Sequence, residues 1–154
     1  MALRKIVFED EPVLRKNSRT VTDFDDRLGT LLDDMKETMY KNNGVGLAAV
    51  QVGILKKAIV IDIGNGLIEA VNPEIIEKSG SQTDVEGCLS CPGERGVVTR
   101  PQKVKVKAQD RNGKEFTLEA TGLLARAFCH ETDHLVGQIF KDVAEEMLEP
   151  DEEY

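Results

Sequence analysis

The sequence predicts a fold that mixes helices with strands, because two helical rhythms and one hairpin signature are written into it. Phe24, Leu28, Leu31, Leu32, Met35 and Met39 recur at the spacing that lines one face of a helix. Residues 103–108 and 115–120 alternate polar and apolar on either side of Asn112-Gly113, which marks a β-hairpin with one wet face. A second helical rhythm, Leu123, Leu124, Ala127, Phe128 and Leu135, runs through 123–137 and carries both histidines of the chain.

Ahead of the first helix, residues 6–8 read as a short strand and Glu11-Pro12 as a turn. Thr22 or Asp23 can cap the helix, and Asn42-Asn43-Gly44 ends it. Asp25 and Asp26 near its start and Lys36 and Lys41 near its end suit its dipole. The next stretch, G-V-G-L-A-A-V-Q over 44–51, superficially fits the dinucleotide fingerprint G-x-G-x-x-A. That fingerprint needs a strand before it and a helix after it, whereas here a helix precedes and the strand-like 58–63 follows, so nucleotide binding is rejected. Its small residues suit a close approach of backbone to ligand, and Gln51 ends the apolar run with an amide.

Gly64-Asn65-Gly66 is a turn, with strand pieces at 67–71 and 75–76 around Asn72-Pro73. Beyond 123–137, Ile139, Phe140 and Val143 add a packed segment, and 145–154 read as a frayed acidic tail. No repeat or linker divides the chain, so 1–154 reads as a single domain, long enough at 154 residues and 40% hydrophobic to bury a sizeable core. A net charge of -8 and the lack of a Lys/Arg-rich run argue against nucleic acid or an anionic membrane as partner. No stretch is as long as a signal h-region or a membrane span, so a cytoplasmic protein is expected. Three cysteines then fit reduced thiols.

The chemistry concentrates at 130–134, H-E-T-D-H. Histidines four apart on a helix share one face and can bind a single ion, while Glu131 beside the first can take a proton from metal-bound water. His130 and His134 also continue the buried stripe, where unpaired polar groups are costly and a metal supplies partners. A catalytic site needs a third protein ligand. In the metzincin pattern its position is Phe140, which cannot ligate. Glu145 or Glu146 is possible on the thermolysin pattern but sits among many acids. Cys88 is the better candidate, in V-E-G-C-L-S-C-P-G over 85–93, where glycines and Pro92 suit a fixed, irregular loop. Cys88 and Cys91 also form C-x-x-C, but a redox pair of that kind normally opens a helix in a βαβ setting, which is lacking. A structural zinc site of Cys88, Cys91, Cys129 and His130 fails because helix neighbours point about 100° apart. Cys91 and Cys129 read as packed thiols.

Three motifs in register, G-V-G-L-A-A-V-Q at 44–51, E-G-C-L-S at 86–90 and H-E-T-D-H at 130–134, resemble those of the peptide deformylases. The similarity runs from E-P-V-L-R at 11–15 to the helix at 123–137. It implies an α+β fold with mixed, mainly antiparallel β-sheets around a central helix carrying H-E-x-x-H. It implies a monomeric hydrolase that removes the formyl group from N-formylmethionyl nascent peptides at the ribosome exit, using one Fe²⁺ that Zn²⁺, Ni²⁺ or Co²⁺ can replace. Residue by residue, Cys88, His130 and His134 become the metal ligands and Glu131 the general base and acid, with Gln51 and the backbone N–H of Leu89 binding the oxyanion. Val45, Gly46 and Gly87 line the substrate groove, Glu86 and Arg95 bind substrate or brace a loop, and Asp133 orients an imidazole. Cys91, where an aliphatic residue is usual, and Cys129, where glutamine often stands, depart from the commoner pattern and bear on oxidation near the metal.

Overall fold

The computed structural model describes residues 2–149. In chain order its elements are α1 (Asp26–Lys41), β1 (Gly46–Ala48), β2 (Ala58–Ile61), β3 (Ile68–Ser79), β4 (Gln82–Cys88), β5 (Cys91–Arg100), β6 (Lys103–Gln109), β7 (Glu115–Thr121), α2 (Gly122–His134), α3 (Phe140–Val143) and β8 (Glu146–Met147), with 3-10 turns at Pro12–Arg15 and Ala49–Val52. One sheet runs β1-β2-β3-β6-β7 and the other β4-β5-β8. Their strand pairs are antiparallel, and the parallel contribution is an isolated bridge between Arg19 and Lys56.

Period-two alternation in β2 decides the layering. Ala58 and Val60 face α1, joining Leu28, Leu32, Met35 and Met39 in one apolar cluster. Ile59 and Ile61 point the other way and pack with Ala125 and Phe128 of α2. Helix α2 therefore lies against the inner sheet face, touching β1, β2, β3, β6 and β7, and β5 of the second sheet. The expected central helix is this one.

Several local expectations are corrected. Asp25, not Thr22 or Asp23, caps α1: its backbone is extended and its carboxylate accepts the Leu28 N–H at 3.1 Å, the geometry an N-cap requires. Residues 6–8 form no strand, although the Val7 N–H donates to Gln51 O at 2.7 Å. The two strand pieces around Asn72-Pro73 are one strand, β3, which passes through Asn72 at φ 52 with a register shift before Glu74. Asn72 stabilises that bulge by bonding both the N–H and the carbonyl of Val21.

The stretch over 85–93 is the end of a hairpin, and the expected irregularity survives as a register shift between Gly87, opposite Arg95, and Cys88, opposite Cys91, with 92–94 falling between the two registers. β4 and β5 pair from Gln82↔Arg100 to Cys88↔Cys91, leaving Leu89 and Ser90 as the turn. Alternating Thr83, Val85, Val97 and Thr99 supply cross-strand pairs that single-residue turn signals conceal. The tail is corrected as well. Glu145 and Leu148 N–H groups donate to Val97 O and Arg95 O at 2.7 and 2.9 Å on either side of β8, and the Glu145 carboxylate accepts from the Thr99 hydroxyl of β5. Leu148 anchors the segment by burial. The rest of the expected fraying, 150–154, lies outside the described residues.

Candidate metal centre

The buried stripe of α2 ends in chemistry. Phe128 packs in the core, and one turn on His130, Glu131 and His134 are 9%, 4% and 0% exposed. His130 Nε2 and His134 Nε2 lie 3.3 Å apart, and Cys88 Sγ reaches within 3.4 Å of His134 Nε2 from the end of β4. All three donor atoms lie within 4.8 Å of one another. A tetrahedral ion with bonds of about 2.0–2.1 Å to nitrogen and about 2.3 Å to sulfur separates two nitrogens by about 3.3 Å, and nitrogen from sulfur by about 3.6 Å. The three donors fit one ion.

Burial holds His134 well below its ordinary pKa, with the nearby His130 acting in the same direction, so its imidazole is neutral, the form that ligates. His130 Nδ1 lies 2.9 Å from Glu86 Oε1, which directs the lone pair of Nε2 toward Cys88 and His134. Glu86 is itself clamped. Arg100 donates to it through Nε and Nη2 at 2.8 and 3.0 Å, and Arg126 through Nη1 at 2.6 Å. Burial pushes that carboxyl up, but the Arg100 and His130 hydrogen bonds and charges outweigh it and hold the pKa at about 2. Phe140, the position of a third histidine in metzincins, stacks on the His130 ring with centroids 6.3 Å apart.

Gln51 sits on the 3-10 turn after β1. Its Oε1 accepts the Ala48 N–H at 2.9 Å, which turns Nε2 toward Cys88 Sγ at 3.4 Å and Ser90 Oγ at 3.2 Å. Leu89, in the β4–β5 turn, packs against the α1 cluster, and Gly44 leaves room for it: a Cβ there would lie 2.8 Å from Leu89 Cδ1. Gly46 is tighter still, since a Cβ would lie 2.5 Å from Glu131 Oε2. Glu131 Oε1 and His134 Nδ1 are buried without a hydrogen-bond partner among the described residues. Burial, helped by the charges of Glu86 and Asp133, raises the Glu131 pKa to about 7. An orphaned carboxylate oxygen beside three convergent donors is what an ion and its attendant water would complete.

Beside this group lies a cavity of about 150 Å³ lined by Val45, Val85, Glu86, Gly87, Leu123, Arg126, Ala127, His130 and Glu131. Of the expected substrate residues, Val45, Glu86 and Gly87 border it, but Glu86 commits its carboxylate to the two arginines and His130, which suits bracing and not substrate binding. Arg95 lies opposite Gly87 on β5 and does not line the cavity. Among the described residues Asp133 makes no hydrogen bond to an imidazole; it accepts from Arg100 Nη1 at 2.7 Å and so reaches His130 only through Arg100 and Glu86. Cys91 and Cys129 stand outside the three-donor group, as do Glu145 and Glu146. A second acidic group, Glu9, Cys91 and Glu94, surrounds the Lys141 ammonium, which binds both carboxylates at 2.8–3.1 Å. Sequence reasoning missed Arg100, Arg126 and Ser90. Arg126 alone left a signal, a charged residue one helical turn before His130 on the buried face, which demands a buried partner.

The model of the family described as Polypeptide deformylase matches residues 3–149. The chain belongs to that family. Among curated deformylases it is 63% identical to the peptide deformylase of Caldicellulosiruptor bescii, over 97% of this chain and 93% of that one. It is 61% identical to the peptide deformylase of Alkaliphilus metalliredigens, over 92% and 97%. The crystal structure of the deformylase from Thermotoga maritima superposes with a TM-score of 0.93 at 41% identity, covering 95% of this chain and all of that one. Among the described residues of this deformylase, no helix is long and apolar enough to cross a membrane.

Proposed function

We propose that the whole chain acts as one cytoplasmic, monomeric catalytic unit that hydrolyses the N-formyl group of N-formylmethionyl nascent peptides, releasing formate, at one ion held by Cys88, His130 and His134. The observation that carries the reading is the convergence of these three donors within 4.8 Å beside the orphaned Glu131 carboxylate. One thiolate and two imidazoles suit a divalent transition ion, while the hard oxygen sites of Ca²⁺ and Mg²⁺ are excluded. Fe²⁺ is assigned from family membership, with Zn²⁺, Ni²⁺ or Co²⁺ as substitutes. When bound, the ion acts as a Lewis acid that activates water and polarises the formyl carbonyl.

Each side chain then has a task of its own. Glu131 takes the proton from the attacking water on its carboxylate and gives it to the departing amine. Its buried setting, which raises the pKa to about 7, keeps a carboxylate able to do both near neutral pH, and the charge of a bound ion lowers that value. Gln51 Nε2 and the Leu89 N–H donate to the formyl oxygen as it becomes negative, a contact stronger in the transition state than in the substrate. Glu86, fixed by Arg100 and Arg126, holds His130 in one tautomer and orientation. Val45 and Gly87 wall the groove, and Gly46 keeps the backbone close against Glu131.

Formyl is the smallest acyl group, and a carbonyl carbon crowded by Gly46, Gln51 and Leu89 admits hydrogen in place of a methyl. The test compares formyl-Met-Ala-Ser, acetyl-Met-Ala-Ser and an unstructured protein with iron-loaded, anaerobic enzyme. Rapid deformylation, slow deacetylation and an uncut protein are expected. Similar rates on the two peptides, or fragments of the protein, would make it a metallopeptidase.

A further inference from the structure

We propose that Cys88 and Cys91 form a reversible disulfide under a hydroperoxide, and that this bond withdraws the thiolate from the metal centre. As a C-x-x-C motif lacking a helix the pair looked inert, but the hairpin changes its geometry. Cys88 and Cys91 are directly opposed across β4 and β5, with a two-residue turn between them. Opposed residues of an antiparallel pair have Cα atoms about 4.5–5.5 Å apart. That lies inside the span of about 4.4–6.8 Å that a disulfide bridges. Directly opposed residues project to the same face of a sheet, so the two thiols share one side of the hairpin.

The pair is asymmetric in a way that suits sequential chemistry. Cys88 is half-buried on the side of the metal centre, where Gln51 Nε2 donates to its sulfur. Cys91 is 1% exposed and belongs to no ligand set with His130 and His134. With the ion absent, the hydroperoxide meets the Cys88 thiol first: its O–O bond breaks, an S–O bond forms, and an alcohol or water leaves. Cys91 then attacks that sulfenic sulfur, the S–S bond forms, and water leaves carrying the thiol proton. The two thiols lose two electrons and two protons, and the hydroperoxide gains them. A sulfenic acid trapped in this way cannot go on to the irreversible sulfinic and sulfonic acids.

The sulfur bond rests on the hairpin alone, while its effect on the metal rests on Cys88 being a ligand, so the two are measured separately. Metal-free full-length protein is treated with hydrogen peroxide, then mapped by peptide mass and assayed for zinc uptake before and after dithiothreitol. The wild type should lose about 2 Da and two of its three thiols, yield a linked Cys88–Cys91 peptide, refuse zinc, and recover uptake on reduction. Cys91→Ser should bind zinc normally when reduced, but after peroxide gain about 32 to 48 Da on Cys88 and stay metal-free in dithiothreitol. Absence of the linked peptide, or equal recovery of Cys91→Ser on reduction, would overturn the proposal. A linked peptide in protein that still takes up a full equivalent of zinc would overturn the Cys88 ligand assignment and the coupling to metal with it.

Discussion

Gly46→Ala tests how closely the base is held. Gly46 does not have a left-handed backbone, so alanine is tolerated by the chain and the effect is purely steric. The added Cβ would lie 2.5 Å from Glu131 Oε2, 2.9 Å from its Cδ and 3.0 Å from its Cγ, whereas ordinary contact begins at 3.4 Å. The carboxylate must therefore retreat by about 0.9 Å, the difference between those limits. Glu131 is 4% exposed, and because its Cδ and Cγ are crowded along with its oxygen, the side chain has to shift as a unit toward the cavity it borders. Overpacking of this kind costs about 1–3 kcal/mol of stability. A misplacement near 1 Å of a group that transfers protons costs about 100-fold in rate. None of the three metal donors is touched. The assay is kcat/KM on formyl-Met-Ala-Ser alongside metal content and thermal midpoint, and the expected result is full metal, a modest loss of stability and a rate lower by about two orders of magnitude. Activity within twofold of the parent in a metal-replete Gly46→Ala protein would refute the close packing of Glu131 against β1.

Three further outcomes follow from the same geometry. Cys88→Ala should lose the ion, while Cys91→Ser and Cys129→Ser retain it; elemental analysis showing equal loss from all three would restore the four-ligand zinc alternative. Glu131→Gln should keep its metal and fall by about 10²–10⁴ in turnover, and near-normal rates at neutral pH would remove it as the proton carrier. Glu86, its carboxyl depressed from 4.5 to about 2, contributes stability that is complete above pH 4.5 and lost as pH falls through 2. Unfolding free energies from urea titration of the metal-free protein and of Glu86→Gln should differ most above pH 5, by about 3–5 kcal/mol because two guanidiniums lose their partner, and converge toward pH 2; a difference independent of pH would contradict the clamp.

What the residues announced by themselves was whatever depends on near neighbours in the chain. Helical spacing of four puts His130 and His134 on one face without any help from the fold, and the same periodicity showed the core face of α1 and that of α2 from Ala127 on, whereas Leu123, expected on that face, is 52% exposed and Val143, expected to pack, is 37% exposed. The β6–β7 hairpin was legible because Asn112-Gly113 carries its turn chemistry locally. The motifs at 44–51, 86–90 and 130–134, in that order, were enough to point to the family. Tertiary structure decided what depends on segments distant in sequence. That Cys88 meets His134 across 46 residues, that Glu86 braces His130, and that Asp133 answers Arg100 are facts of β4 and β5 docking on α2. The β4–β5 hairpin itself was hidden, since its turn residues Leu89 and Ser90 carry no glycine, asparagine or proline to announce it, and its pairing is supplied by cross-strand contacts instead. Strand β8 was read as a frayed tail for a related reason: what orders it is a backbone ladder to β5, joined by a Thr99–Glu145 contact between segments far apart in the chain, neither of which local acidity encodes.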